Sequence, residues 1–245
     1  MKKKLFVVSD VHGHYTLMKE ALDRAGFNPD NEEHFLVCCG DYFDRGTENY
    51  QVLKYMERLK NKALLRGNHE DMLLEIFKDG YIEEHNVHNG TVETLQEFFG
   101  KRCMNEFGEI DFSGNTSMLD RVEEFIQQTT DYFETEHYVF THGWLPTKET
   151  VQGRIIHPNW RTLSKASWED ARWDKWIDMY ETCDRIPGKT IVCGHYPTIF
   201  ASWVDPSRGS RNVDIFYGNG VIVIDAGTAT TGKVNVLIIE EEEML

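Results

Sequence analysis

The apolar residues fall into short, dense runs. Leu5–Val8, Phe35–Cys39, Ala63–Leu65, Tyr138–Thr141, Thr190–Cys193, Val221–Ile224 and Val234–Ile239 are rich in aliphatic and β-branched side chains with little polar alternation. Runs of this length and texture predict strands covered on both faces. Between them, apolar positions recur at helical spacing: Leu17, Ala21 and Leu22; Val52, Tyr55, Met56 and Leu59; Met72, Leu73, Ile76 and Phe77. Strand and helix therefore alternate, which predicts an α/β layered architecture. From about 79 to 136 the pattern turns mainly helical (Val92, Leu95, Phe98 and Phe99; Leu119, Val122, Phe125 and Ile126), an insertion placed to cap one side of the fold. Trp160 to Cys183, with four of the six tryptophans, reads as a second helical cover. No repeat or linker interrupts the pattern, so one domain over residues 1–245 is expected.

The residues just beyond each predicted strand are more telling than the strands themselves. Five of the seven runs end in Asp, His or Asn beside a glycine: Ser9-Asp10-Val11-His12-Gly13, Gly40-Asp41, Arg66-Gly67-Asn68-His69, His142-Gly143 and Gly194-His195. In layered α/β folds, ligands collect beyond the C-terminal ends of the strands. Asp10, His12, Asp41, Asp44, Asn68, His69, His142 and His195 together form a donor set of oxygen and imidazole without thiolate. That chemistry suits Mn²⁺, Fe²⁺ or Zn²⁺ in a catalytic rather than a structural role. Two ions need a shared carboxylate, and Asp41, central in chain order, is the natural bridge. Taken singly, each residue has a plainer reading: Asp10 as a helix or turn cap, His142 and His195 as satisfied buried histidines, Asp44-Arg45 as a surface ion pair. Only the ensemble overturns these.

Composition narrows the partners. The formal net charge is −15, with 41 acidic against 26 basic residues. Such a surface repels nucleic acid and anionic membrane, so stable binding to either is not expected. The five cysteines show no zinc-knuckle spacing, and Cys38 and Cys39 are adjacent, which favours a reduced, intracellular protein. Met1-Lys2-Lys3-Lys4 resembles an export signal's charged start, but the apolar stretch behind it stops after Val8, short of the roughly 7–15 residues of an export core. A cytoplasmic location with no membrane span is therefore expected. The acidic stretch Glu240–Glu243 reads as a solvated terminus.

The segments VSDVHGHY, CGDYFDRG, LLRGNHE, THGW and CGHYP, in this order, closely resemble the five motifs of calcineurin-like metallophosphoesterases, over residues 8 to 197. The Asp-Arg-Gly and Arg-Gly-Asn-His-Glu forms resemble the phosphoprotein phosphatase branch, which includes bacterial serine/threonine phosphatases and symmetrical diadenosine tetraphosphate hydrolases. Asn89-Gly90-Thr91 followed by Thr94-Leu95 is similar to its bacterial members. Ser9, where glycine is usual, and His14, where glutamine or cysteine is common, depart from the pattern beside the metal residues. The resemblance implies a sandwich of two mixed β-sheets flanked by helices and two divalent ions, Mn²⁺ expected, with iron or zinc as alternatives. It implies Asp10, His12 and Asp41 at the first ion and Asp41, Asn68, His142 and His195 at the second. His69 would be a general acid oriented by Asp44, with Arg45, Arg66 and Arg172 on phosphate. Metal-bound hydroxide would attack phosphorus directly. The expected activity is serine/threonine protein phosphatase, or alternatively symmetrical dinucleoside polyphosphate hydrolase. The latter needs further cations, for which Arg208 and Arg211 in the 196–220 loop are the candidates. The substrate is accordingly a phosphoprotein, a small phosphate ester or a nucleotide.

Overall fold

The computed structural model describes residues 3–151 and 153–241. Its first sheet has the order β11 (Leu237–Glu241), β1 (Lys3–Val8), β2 (His34–Cys38), β3 (Lys62–Leu64). β1, β2 and β3 run parallel and β11 antiparallel to β1. The second sheet has the order β4 (Tyr132–Glu134), β5 (Tyr138–Thr141), β8 (Thr190–Cys193), β10 (Val221–Val223), β9 (Phe216–Gly218), with a parallel centre and antiparallel edges. β6 (Thr147–Thr150) and β7 (Gly153–Ile156) form a separate antiparallel hairpin.

The two-residue period of the strands builds the layers. Leu5 and Val7 of β1, Val37 of β2, Phe140 of β5 and Val192 of β8 join one cluster between the sheets. Phe6, Val8, Leu36 and Cys38 point the other way, under α1 (Tyr15–Arg24), α2 (Asn49–Arg58), α3 (Asn68–Asp79) and α6 (Thr116–Gln127). Val139, Ile191, Cys193, Val221 and Val223 face Trp168 of α7 (Lys165–Trp173) and Trp176 of α8 (Trp176–Thr182). The protein is thus an α/β fold of two mixed sheets flanked by helices. Double coverage explains why the strands read as unbroken apolar runs.

Each of the seven apolar runs contains a strand, with ends shifted by a few residues. The segment 79–136 is helical over α4 (Glu84–His88), α5 (Thr91–Phe99) and α6, but its end is the edge strand β4, three residues too short to show a period. The expected turn between the last two strands contains the short helix α9 (Thr228–Thr231). The acidic end also departs from expectation. Glu240 and Glu241 continue β11, and the buried Glu241 accepts a 2.8 Å hydrogen bond from Thr135 Oγ1. Glu242 and Glu243 lie outside the described residues, as do Met1 and Lys2. No described helix is long and apolar enough to cross a membrane.

Phe140 is fully buried between the sheets and stacks on Phe133 at 5.7 Å. Phe140→Ala is expected to lower unfolding free energy by about 3–5 kcal/mol, read from the urea midpoint at unchanged m-value.

Candidate metal centre

The parallel strands of both sheets deliver their succeeding loops to one place. Asp10 N–H donates to Gly40 O, His12 N–H to Asp41 O and Gly13 N–H to Tyr42 O, which zips the loop after β1 to the loop after β2. Glu70, buried in the first turn of α3, accepts from the N–H groups of Asp41, Tyr42 and Gly67 at 3.0, 2.9 and 2.8 Å, and so clamps the loop after β3 to the same point. The sheets then meet: His195 N–H donates to both carboxylate oxygens of Asp10, and His142 Nδ1 lies 2.7 Å from Cys39 O. Two glycines permit this convergence. A Cβ on Gly67 would collide with Asp41 Oδ1, and one on Gly194 would collide with Asp10 Oδ2.

Asp41 is the hub. Its Oδ2 lies 3.5 Å from His12 Nε2 and 3.8 Å from His69 Nε2, while its Oδ1 lies 3.4 Å from His142 Nε2. Two clusters of potential ligand atoms share it: Asp41 with His12 and His69, and Asp41 with His142 and His195. Asn68 Oδ1 approaches His142 Nε2 at 2.8 Å. His142 Nδ1–H donates to Cys39 O, so Nε2 carries a lone pair. That lone pair, the Asn68 oxygen and the Asp41 carboxylate then converge with no proton between them. Such an acceptor set calls for a cation, and the chemistry of the donors fits divalent metal.

The electrostatics agree. Burial pushes Asp10 up to about 6, against the lowering pull of the Ser9 hydroxyl and the His195 N–H, and pushes Asp41 well above the carboxylate range. Burial also drives His12 and His142 well below the usual imidazole range and His195 down to about 4. Neutral imidazoles beside carboxylates whose charge burial disfavours form a donor set suited to divalent metal. His195 Nδ1 is buried without a hydrogen-bond partner, a further open ligand position.

The structure divides the first expected ligand set. His12 and Asp41 stand in one cluster, but His69 occupies the third place there, whereas Asp10 faces the His195 backbone and receives the Ser9 hydroxyl. His69 is nevertheless tied differently from the others, because its Nδ1 lies 2.7 Å from Asp44 Oδ2. Burial favours the neutral His69 ring, yet the Asp41 and Asp44 carboxylates outweigh it and raise its pKa to about 9. The terminal nitrogens of Arg45 lie 2.9 Å from His12 Nε2, to which one of them donates, and 3.1 Å from His69 Nε2. Its guanidinium therefore covers the lone pair that His12 would offer to metal.

Among the described residues, the non-glycine positions with positive φ are Asp10, His12, Asp41, Asp44, Arg45 and His195. Five of the six belong to the donor set beyond the strands, and the sixth, Arg45, is one that the family resemblance places on phosphate. Each such conformation costs of order 1–3 kcal/mol and persists where the surroundings over-determine it.

Arg66 and Arg172, expected on phosphate, both have protein acceptors within reach. Arg66 donates to Ile126 O and Thr129 Oγ1, while the buried Arg172 pairs with Asp71 and Asp131. Arg66 thereby braces the end of α6, and Arg172 ties α7 to α3. Arg208 folds onto the carbonyls of Asp214 and Ile215 and over the Phe216 ring, so it is not free to line a groove.

Other contributors carry no motif of their own. Thr91 Oγ1 donates to Asp44 Oδ2 at 2.9 Å, Thr94 Oγ1 accepts from Asp44 N–H at 3.0 Å, and Glu97 accepts from the N–H groups of Asn49 and Tyr50. The insertion thus buttresses the His69–Asp44 pair. Its Asn89-Gly90-Thr91 segment was the available signal. Asp225, buried after β10, adds a further carboxylate whose pKa is raised well above normal by burial and by Asp10.

A family model described as calcineurin-like phosphoesterase matches residues 3–227. The chain belongs to that family. It is 36% identical over 78 residues to serine/threonine-protein phosphatase 2 of Escherichia coli K12, covering 32% of this chain and 34% of that protein. It is 33% identical over 73 residues to a symmetrical bis(5'-nucleosyl)-tetraphosphatase of Erwinia tasmaniensis, covering 29% of this chain and 26% of that protein. The matched segment thus spans about a third or less of these relatives' length. A crystal structure described as that of a candidate diadenosine tetraphosphatase shares the fold at a TM-score of 0.55 and 18% identity, covering 98% of this chain and 93% of that one.

Asp41→Asn is expected to reduce metal content at both positions, and His69→Ala to leave it near two ions per chain; elemental analysis of the purified variants reads both. The His69 ring should hold its proton up to about pH 9, and Asp44→Asn should bring that midpoint down, as tracked by NMR of the imidazole nitrogens. Because this pKa stands above the 6.5 of a free histidine, the associated stability is full below about 6.5 and is lost as pH rises through about 9.

Proposed function

We propose that this protein is a dinuclear metal-dependent hydrolase of phosphate esters and anhydrides, acting on dinucleoside polyphosphates by symmetrical cleavage. The observation that carries the reaction class is Asp41 shared between two imidazole clusters, with the His69–Asp44 pair alongside. Asp10 and Asn68 would complete the ligand set with His12, Asp41, His142 and His195. Two bound ions would polarise the phosphoryl oxygens and make water nucleophilic near neutral pH.

The chain's own residues supply the remainder. His12 would hold one ion through the Nε2 lone pair that Arg45 covers, and the Arg45 guanidinium would serve the phosphoryl oxygens, for which its two-pronged geometry is suited. His69 Nε2–H would give its proton to the leaving oxygen as the phosphorus–oxygen bond breaks. Asp44 holds Nδ1 and stabilises the protonated ring until transfer, and Thr91 fixes Asp44. Water supplies the new oxygen on phosphorus, and no enzyme-bound phosphate is required.

The nucleotide reading is supported by the tetraphosphatase relative and by half-exposed aromatic rings beside the second cluster. The serine/threonine phosphatase reading is supported by the 36% identical relative and by Arg45 being a single clamp, enough for one phosphate. Diadenosine tetraphosphate and a phosphoserine peptide, assayed at equal concentration with Mn²⁺, separate the two. Release of ADP without AMP supports the proposal, whereas phosphate release from the peptide alone overturns its substrate. His69→Ala is expected to lower turnover by about 10²–10⁴ on the true substrate.

A further inference from the structure

The protein buries Trp144, Trp160, Trp168 and Trp176 almost completely but leaves Trp173 and Trp203 51% and 67% exposed. Both exposed rings belong to elements that meet His195. Trp173 closes α7 with its indole edge-on to the His195 ring, centroids 6.0 Å apart at 86°. From His195 the chain passes directly into Tyr196, whose ring stacks on Phe200 at 4.4 Å and 18°. Phe200 in turn meets Trp203 at 5.0 Å and 65°. The run is held in place, because Trp176 Nε1 donates to Tyr196 O at 2.6 Å and the Lys175 ammonium sits 5.0 Å from the centre of the Tyr196 ring. An aromatic surface fixed by its neighbours and left open to water beside a polar reaction centre is suited to a flat apolar group.

We propose that Trp173 and the Tyr196–Phe200–Trp203 run form a stacking shelf for the nucleobase of a nucleotide whose phosphates lie at the Asp41 clusters. This deepens the nucleotide reading of the site and rests on it. Charge gives the first reason. The chain carries −15 overall, and Arg66, Arg172 and Arg208 are committed to protein acceptors. These three guanidiniums spend most of their donors on the protein, so a binding contribution that does not depend on charge gains weight. Stacking supplies it without regard to charge. Reach gives the second. An aryl group esterified directly to the reacting phosphorus stays beside the metals and could meet only the Trp173 end. A base separated from that phosphorus by ribose and a further phosphate has the longer tether, suited to the run that leaves His195 through Tyr196 and Phe200.

The test uses the full chain with Mn²⁺ and the variants Trp173→Ala, Trp173→Phe and Trp203→Ala. The KM for diadenosine tetraphosphate should rise roughly 5- to 100-fold on removing the Trp173 ring. Inhibition by inorganic tripolyphosphate, which has no base, should not change. Trp173→Phe should recover most of the loss, which a folding defect would not allow. AMP should quench the tryptophan fluorescence of the unaltered protein and ribose 5-phosphate should not. The shelf is overturned if the two ligands quench alike, if tripolyphosphate inhibition weakens in step with the nucleotide KM, or if only the KM for O-phosphotyrosine responds. Should the unaltered protein fail to cleave diadenosine tetraphosphate while AMP alone still quenches, the cleavage reading falls and the shelf stands.

Discussion

A buried carboxylate shared between two groups of imidazoles is the constraint around which the rest is arranged. Asp41 sits almost out of water, with a second carboxylate, Asp10, close by. Two such charges in a dry interior are untenable without compensation, since the desolvation penalty is several kcal/mol per ion. The chain answers with oriented dipoles, neutral imidazoles and the Arg45 guanidinium, and leaves buried carboxylates that take up a proton unless a cation meets them. Glu70 shows how far the arrangement goes: an acid fully buried to hold three backbone N–H groups, two of them in the Asp41 loop.

Holding that centre requires backbone that side chains rarely accept. The six left-handed, non-glycine residues all lie at the site, on loops that leave parallel strands of both sheets. The sandwich is what makes this strain tolerable. Its inter-sheet core fixes the strand ends, and the helical insertion closes over the loop after β2 through Thr91, Thr94 and Glu97. Gly90 belongs to the same contact: a Cβ there would stand 2.6 Å from Arg45 N. The insertion is therefore a support for the acid pair as much as a cover.

On the proposed reading, chemistry and selectivity occupy different materials. The reacting centre is polar, strained and enclosed, and it would treat most phosphorus–oxygen bonds alike. The rim beside His195 is aromatic and open, built from the α7–α8 junction and the loop after β8. Relatives with different substrates are compatible with that division, because the rim can change without disturbing Asp41 or its partners.

Much of this was legible along the chain. Strand identity and the ligand types beyond each strand depend on local texture and on neighbours in sequence, so Asp10, Asp41, Asn68, His142 and His195 could be picked out before any fold was known. Arg66 and Arg172 could not be resolved that way. An arginine beside glycine or tryptophan looks the same whether its acceptor is phosphate or the Asp71 carboxylate, and only packing of α3 against α7 decides. The placement of His69 nearer the first cluster than Asp10, the strained φ angles, and the support from Thr91 and Glu97 are likewise contacts between segments distant in sequence. The amino-acid order determined which groups arrive at the strand ends; tertiary packing determined which of them face one another, because distance and burial, not residue type, set their charges and partners.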